Sequence, residues 1–368
     1  MHLGSMDPWG SVSDSNPSRD AGYMRRAIEL ARKGWGQTAP NPMVGAVLVR
    51  DGEVVGEGYH ERFGEEHAEV RAIAAAGERA MGATLYVTLE PCNHYGKTPP
   101  CTRAVIAAGI SRVVAGIRDP NPIAEGGIGF LRAHGVAVDV EVESEEASEL
   151  VAPFLHCAKS DRPFITLKLA LSSDGAVADV NRKKKWLSGD DSRAEVHRLR
   201  AGADAIAVGA GTVISDDPAL TVRGPVTPRL LPARVVFDRQ AKIPLSSKLV
   251  RTAREVPTIV VTAKGATYVP RLRHDGVTVI EASDTRAAVE ALHRAGIQHL
   301  FVEGGAGLSS DLLRAGLVDR LVIFQTDIPL GPGGVKPFER LEDLDIVRIV
   351  GESRFGDDRM TVYALKSK

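Results

Sequence analysis

The spacing of apolar positions changes period repeatedly along the chain, and each change predicts an element. Over residues 23–34, Met24, Ala27, Ile28, Leu30 and Ala31 recur at helical spacing, with Gly34 as the stop. An apolar run at 46–49 is turned back by Asp51-Gly52 into 53–58, a hairpin signal. Residues 60–66 read as a loop leading into a helix, and 84–89 as a buried strand. A further helix begins after Pro99-Pro100, proline being well tolerated in a first turn. Strand 112–116, helix 129–134, strand 136–142 and helix 145–159 follow. A second alternation opens near Ser160-Asp161-Arg162-Pro163, with 164–169 as a buried strand and Ser172-Ser173-Asp174-Gly175 as its turn. Alternating strands and helices predict an α/β protein, its first half a three-layer sheet domain.

Length and composition sharpen this picture. At 368 residues the chain exceeds the usual single-domain size and should divide in two. The predicted boundaries are 21–160 and 161–368, with 1–20, rich in Gly, Ser, Pro and Asp, a disordered leader that is in part expression-derived. A formal net charge of −1 offers no global attraction to nucleic acid or an anionic membrane, which favours a small-molecule substrate held by local groups. No run reaches the ~18 apolar residues of a membrane helix. Only three cysteines occur, so pairing Cys157 would spoil the site described next, and a reducing, cytoplasmic setting is expected.

Candidate chemistry is concentrated between His67 and Cys101. His67-Ala68-Glu69 is followed by Pro91-Cys92 and then Cys101. One histidine nitrogen and two thiolates make a three-ligand zinc site with its fourth tetrahedral position open for water. Zinc lowers that water's pKa from about 15.7 toward roughly 7, and Glu69 is placed to collect the proton and return it to a departing amine. A structural zinc is normally closed by four protein ligands, and only His60 and His94 lie near enough in sequence to supply a fourth. The pattern is that of the zinc deaminases, except that eight residues rather than the common two separate the cysteines.

That long loop, Asn93-His94-Tyr95-Gly96-Lys97-Thr98-Pro99-Pro100 after Glu90-Pro91-Cys92, resembles the deaminase half of the bifunctional deaminase and reductase family of riboflavin biosynthesis. The resemblance implies a cytidine-deaminase-like domain in which Asn41 and His60 line the pyrimidine pocket and Lys97 helps hold the substrate and its phosphate. Asp119-Pro120-Asn121-Pro122 also fits, although the glycine stretch at Gly126-Gly127 is one residue shorter than usual.

The second half contains no cysteine beyond residue 157 and no second metal-ligand spacing. Its strongest local signal is Leu300-Phe301-Val302-Glu303-Gly304-Gly305-Ala306-Gly307-Leu308, an apolar strand, a glycine turn and a helix start, which together favour an anion. Together with Lys168-Leu169-Ala170, Trp186-Leu187-Ser188-Gly189, Arg200 and the run Asp216-Asp217-Pro218-Ala219-Leu220-Thr221, it resembles the reductase half of the same family. That resemblance implies a dihydrofolate-reductase-like fold using NADPH. Leu171, Trp186, Thr212, Asp216, Arg239 and the turn Gly305, Ala306, Gly307, Leu308, Ser309, Ser310 and Asp311 would contact the cofactor. Lys184, Arg200, Leu220, Arg223 and Glu303 would contact the substrate, two arginines clamping a ribose phosphate. Glu303 and Asp174 are the candidates for a general acid. Departures fall at Lys184 and Arg239, where serines are usual, at Ser173, where leucine is usual, and at Leu171, where a smaller residue is common.

The implied function is two consecutive steps of flavin synthesis. In the first, 2,5-diamino-6-ribosylamino-4(3H)-pyrimidinone 5′-phosphate is deaminated with Zn2+. In the second, 5-amino-6-(5-phosphoribosylamino)uracil is reduced by NADPH to the ribitylamino product. The partners implied are these phosphorylated pyrimidine ribosyl substrates and further copies of the chain in a homo-oligomer, with no nucleic acid or membrane. Two other readings stand beside it: a nucleoside, guanine or nucleic-acid deaminase with an accessory domain, and a zinc deaminase whose C-terminal domain binds nucleotide without catalysis.

Overall fold

The computed structural model describes residues 17–121, 126–181 and 187–366. Contacts divide the described residues into two compact units, one within 17–33 and 43–150, the other within 34–42 and 151–366. Among the described residues no helix is long and apolar enough to cross a membrane.

The first unit is built on five strands: β1 (Gly45–Arg50), β2 (Glu53–Tyr59), β3 (Thr84–Leu89), β4 (Arg112–Ile117) and β5 (Ala137–Val140), in the order β2-β1-β3-β4-β5. β1 runs antiparallel to both neighbours, whereas β3, β4 and β5 are parallel. Successive strand residues point to opposite faces, and this sheet uses both. Ala46, Leu48, Leu85, Val87, Val113 and Ala115 pack with Ala68, Ala72, Val105, Ile128 and Leu131 from helices on one side. Val47, Tyr86 and Val114 alternate with them, and the Tyr86 ring lies 5.1 Å from Tyr23 of the helix Pro17–Ala31.

That helix starts four residues before the expected end of the leader, so the assignment of 17–20 to a disordered tail is corrected; residues 1–16 lie outside those described. Asp20 explains the early start. It is 5% exposed, accepts a hydrogen bond from the Tyr86 hydroxyl at 2.6 Å and pairs with Arg112 at 2.7 Å. Burial alone would raise its pKa, but the bonds from Arg112 and Tyr86 outweigh burial and hold it below the usual aspartate value.

The single helix expected at 145–159 is two, Ser144–Leu150 and Ala152–Cys157, broken at Val151 with φ −119°. Pro153 is the reason, since it has no N–H for the carbonyl four residues back and its ring crowds that carbonyl.

The second unit carries nine strands: β6 (Phe164–Leu171), β7 (Ala205–Gly209), β8 (Ala233–Phe237), β9 (Thr258–Thr262), β10 (Thr278–Glu281), β11 (His299–Glu303), β12 (Arg320–Gln325), β13 (Ile346–Phe355) and β14 (Asp358–Leu365). Their order is β10-β9-β8-β7-β11-β6-β12-β14-β13, parallel from β10 to β12 and antiparallel thereafter. Both faces of the parallel part are buried: Ile165, Leu167, Leu300 and Val302 join one core cluster, and Ile206, Val208, Val236 and Phe301 another. The parallel run gathers the loops after β6, β7, β8 and β11 at one edge, where open α/β sheets bind ligands.

Candidate functional sites

His67 caps the helix Ala68–Ala76, and Glu69 lies in its first turn. The helix rests directly on β2 because that strand offers glycine: a Cβ at Gly58 would stand 2.5 Å from the Ala68 carbonyl oxygen, and one at Gly56 2.3 Å from that of Ala72. Cys92 follows β3, and Cys101 opens the helix Cys101–Ala107 behind Pro100. His67 Nδ1 is 3.5 Å from Cys92 Sγ and 3.2 Å from Cys101 Sγ, and the Cys101 amide donates to Cys92 Sγ at 3.4 Å. All three ligand atoms lie within 4.8 Å of one another. Cys92 is pulled down to about 4 by hydrogen bonds from Cys101 and His67, which outweigh burial, while Cys101 is pushed up as the proton-bearing partner. His67 is raised chiefly by its bond to Cys92.

Glu69 is 3% exposed, and its Oε2 has no hydrogen-bond partner among the described residues. Burial pushes its pKa up to about 7. Three converging soft and borderline donors beside an orphaned buried carboxylate oxygen fit a zinc ion with an activated water. The edge of the His60 ring meets the His67 ring at 5.4 Å, its Nδ1 lies 3.2 Å from the Glu66 carbonyl, and burial lowers its pKa toward the neutral form. Lys97 is exposed, with Nζ 4.1 Å from the Phe63 ring centroid. Asn41 falls in the segment 34–42, which belongs to the second unit by its contacts.

Sequence reasoning passed over Glu90. Buried at the end of β3, it accepts from the amides of Ile128 at 2.9 Å and Asp119 at 3.2 Å, bracing the chain that flanks Cys92. A carboxylate closing an apolar strand immediately before Pro91-Cys92 was the signal available.

In the second unit the β6–β11 register sets Lys168 opposite Glu303. Arg200 reaches Glu303 through both Nε and Nη2, the latter at 2.9 Å, and donates Nη1 to the Thr221 carbonyl at 2.8 Å. Burial would raise Glu303, but Arg200, Lys168 and His197 outweigh it and hold the carboxyl below its ordinary value. Desolvation lowers Lys168, and burial together with Arg200 and Arg223 lowers His197. Of the expected arginine pair, Arg200 is thus committed to Glu303, and Arg223 is the one without an ion pair among the described residues; its amide donates to His197 Nδ1 at 3.2 Å. Lys168 and His197 were not singled out as site residues, although a lone lysine in the apolar run of β6 was legible.

The expected cofactor contacts divide. Thr212 Oγ1 lies 3.6 Å from where a Cβ at Gly305 would stand, so the turns after β7 and β11 meet there, with Ala306, Gly307 and Leu308 partly or fully exposed beside them. Asp216 is exposed at the end of the helix Ala210–Asp216, and Arg239 lines a cavity with Ala210 and Ile214 of that helix. Leu171, 4% exposed, and Leu220, 5% exposed, are packed into the core. Ser310 donates to the Pro337 carbonyl at 2.6 Å and Asp311 pairs with Arg314, so these two side chains are engaged within the fold, whereas Ser309 is fully buried with its Oγ lacking a hydrogen-bond partner among the described residues. Trp186 and Lys184 lie outside the described residues. Asp174 accepts from Ser172 Oγ at 2.5 Å and the amides of Leu330 and Gly331 at 3.2 and 2.7 Å, and these bonds hold it down to about 2. Neither it nor Glu303 carries a proton to donate at neutral pH in this arrangement.

Residues 17–117 match the cytidine and deoxycytidylate deaminase zinc-binding region, and residues 163–358 match the RibD C-terminal domain. The riboflavin biosynthesis protein RibD of Aquifex aeolicus is 46% identical over 85% of this chain and 88% of its own length. That of Escherichia coli is 40% identical over 83% and 87%. Among solved structures, the diaminohydroxyphosphoribosylaminopyrimidine deaminase/5-amino-6-(5-phosphoribosylamino)uracil reductase of Thermotoga maritima superposes with a TM-score of 0.83 at 35% identity, over 95% of this chain and 99% of that one. Acinetobacter baumannii RibD superposes with the same TM-score of 0.83 at 34% identity, again over 95% and 99%. The zinc-ligand triad, the two-sheet architecture and this similarity along nearly the whole length agree: the chain belongs to the RibD family of bifunctional riboflavin-biosynthesis enzymes, a zinc-binding deaminase domain followed by a reductase domain.

Proposed function

We propose that His67, Cys92 and Cys101 hold the zinc of the deamination step and that Glu69 is its proton carrier, acting on the diaminopyrimidinone ribosyl 5′-phosphate. The carrying observation is the buried, unpartnered Glu69 oxygen beside three ligand atoms within 4.8 Å of one another. When bound, zinc supplies a water acidic enough to ionise near neutral pH. Glu69 takes that water's proton and returns it to the leaving amine; burial that raises its affinity for a proton suits a group that must both accept and donate. Neutral His60 reads the pyrimidine, and Lys97 holds the phosphate end.

In the reductase domain NADPH supplies the hydride. Glu303, ionised and anchored by Arg200, presents a fixed negative charge toward the sugar, with Lys168 beside it as the proton-bearing group. Arg223, whose guanidinium has no ion pair among the described residues, is the phosphate ligand of this site. Near-neutral net charge and three unpaired cysteines support a cytoplasmic enzyme of small molecules, acting as a homo-oligomer without nucleic acid.

The test uses wild type and Glu69→Ala, each supplied with the diaminopyrimidinone phosphate or its deaminated product. The variant should keep about one zinc per chain, fail on the first compound and oxidise NADPH with the second. Loss of zinc from the variant would contradict the role given to Glu69. Deamination by wild type without any NADPH oxidation would instead support a C-terminal domain that binds nucleotide without turnover.

A further inference from the structure

Residues 217–232, between the helix Ala210–Asp216 and β8, form neither helix nor strand, and a connection that long without its own secondary structure usually carries function. This one carries Arg223, whose side chain is exposed and makes no ion pair among the described residues. A guanidinium on irregular chain meets a phosphate reproducibly only where its backbone is held.

Two side chains of the helix Asp190–Ala201 do the holding. His197 and Arg200 stand three residues apart and therefore share a face of that helix. Arg200 Nη1 donates to the Thr221 carbonyl at 2.8 Å, and the Arg223 amide donates to His197 Nδ1 at 3.2 Å. Just ahead of them Leu220 is 5% exposed at φ +48°, a conformation a leucine keeps only where its surroundings impose it. The stretch is thus pinned at Leu220 by the core, at Thr221 by Arg200 and at Arg223 by His197. Arg200 also grips Glu303, so one helix face sets both the buried carboxylate and the free guanidinium of the site.

Nδ1 can accept a hydrogen bond only when it carries no proton, so this contact requires the neutral imidazole with its hydrogen on Nε2. The surroundings favour that form. Burial lowers the pKa of His197, and Arg200 on its own helix and Arg223 on the loop lower it further, against Glu303 of β11 and the Thr221 carbonyl, which raise it. Protonation would set one donor against another at the Arg223 amide and add a third cation beside two guanidiniums.

We infer that His197 is a positioning residue of the reductase step: as a neutral acceptor of the Arg223 amide it holds that guanidinium at the substrate's phosphate, and on protonation it lets it go. The inference rests on Arg223 being the phosphate ligand proposed above, and the experiment separates the two.

NADPH oxidation by the full-length enzyme with 5-amino-6-(5-phosphoribosylamino)uracil tests it. At about pH 7.5, where the imidazole is neutral, His197→Ala should raise KM about tenfold and change kcat less than about twofold, because the lost bond serves binding. His197→Asn places an oxygen where Nδ1 stood and does not titrate, so its KM should stay within about twofold of wild type. Lowering the pH to about 5.5 protonates both His197 and the substrate's phosphate. The wild-type KM should then rise about threefold more than that of His197→Asn, which feels the phosphate alone. Arg223→Ala should raise KM about thirtyfold, and adding His197→Ala to it should change KM less than about twofold further. A His197→Ala penalty that is the same with and without Arg223, an asparagine variant as impaired as the alanine one, or identical pH profiles for wild type and His197→Asn would each overturn the positioning role. If Arg223→Ala leaves KM unchanged, the phosphate-ligand reading fails and the inference with it.

Discussion

Each unit keeps a glutamate at its site, buried in the first and half-buried in the second, and the two are tuned in opposite directions. Glu69 sits among a histidine and two sulfurs with one oxygen unpartnered, and burial pushes it up to about 7. Glu303 is less enclosed, its side chain 18% exposed, and the guanidinium of Arg200 and the amine of Lys168 overcome what burial it has and hold its pKa below the ordinary value. The same side chain is thus pushed toward its protonated form where burial outweighs its one cationic neighbour, His67, and held toward its ionised form where Arg200 and Lys168 flank it.

The comparison is broken most severely by removing a metal ligand. Cys101→Ala should lose zinc and lower deamination by about a thousandfold or more, since the activated water goes with the metal, while NADPH oxidation with the deaminated substrate changes less than about twofold. Metal analysis and the two separate assays check this. Activity lost from both halves would show that the sites are not independent.

Removing the balancing charge comes next. Glu303→Gln leaves Arg200 and Lys168 without their carboxylate and should cost about 3 kcal/mol of stability, with reductase kcat/KM down about a hundredfold. Deamination should be unaffected. Denaturant unfolding together with steady-state kinetics measures both effects.

The opposed tuning also predicts opposed pH dependence. In metal-free protein Glu69 shifts from 4.5 to about 7, so the folded state binds more protons between these values and stability falls as pH rises through that window. Glu69→Gln should abolish this decline of about 3 kcal/mol, and bound zinc should suppress it. Glu303, lowered on folding, contributes stability that is present above the unfolded glutamate value and lost as pH falls through its folded one. Unfolding midpoints between pH 4 and 8, with and without zinc, would reveal whether the two slopes differ in sign.

The smallest effect sharpens the picture around Cys92. Glu90 accepts two backbone amides, and glutamine would set its own NH2 against one of those donors. Glu90→Gln should cost about 1–3 kcal/mol, read as a lower denaturant midpoint and faster amide exchange at Asp119 and Ile128, with zinc still bound.

The zinc site was legible residue by residue because its chemistry sits in short segments. A histidine two residues from a glutamate, and two cysteines flanking a loop, announce themselves by type and spacing. Helix starts at His67 and Cys101 and the strand at 84–89 were equally legible from apolar period and proline. In the reductase domain Arg200 and Glu303 were named through the resemblance, but their pairing and the company of Lys168 and His197 were not, since the four come from β6, one helix and β11 and no local rule says that they meet. The break at Val151 and the helical start at Pro17 were missed for related reasons: one needed the cost of Pro153 inside a helix, the other the distant partners Tyr86 and Arg112 for Asp20.

By itself the sequence determined the two α/β halves, the candidate ligand set His67, Cys92 and Cys101 that the structure brings together, and the family, because period, ligand type and close spacing are local properties of a chain. Tertiary structure alone decided which charges are spent and which are free. It paired Arg200 with Glu303, left Arg223, Arg239 and Lys242 without ion pairs among the described residues, and folded Asp238 under its own loop. The physical reason is that charge–charge energy depends on distance and burial, and both are set by strands that lie far apart in the chain and side by side in the sheet.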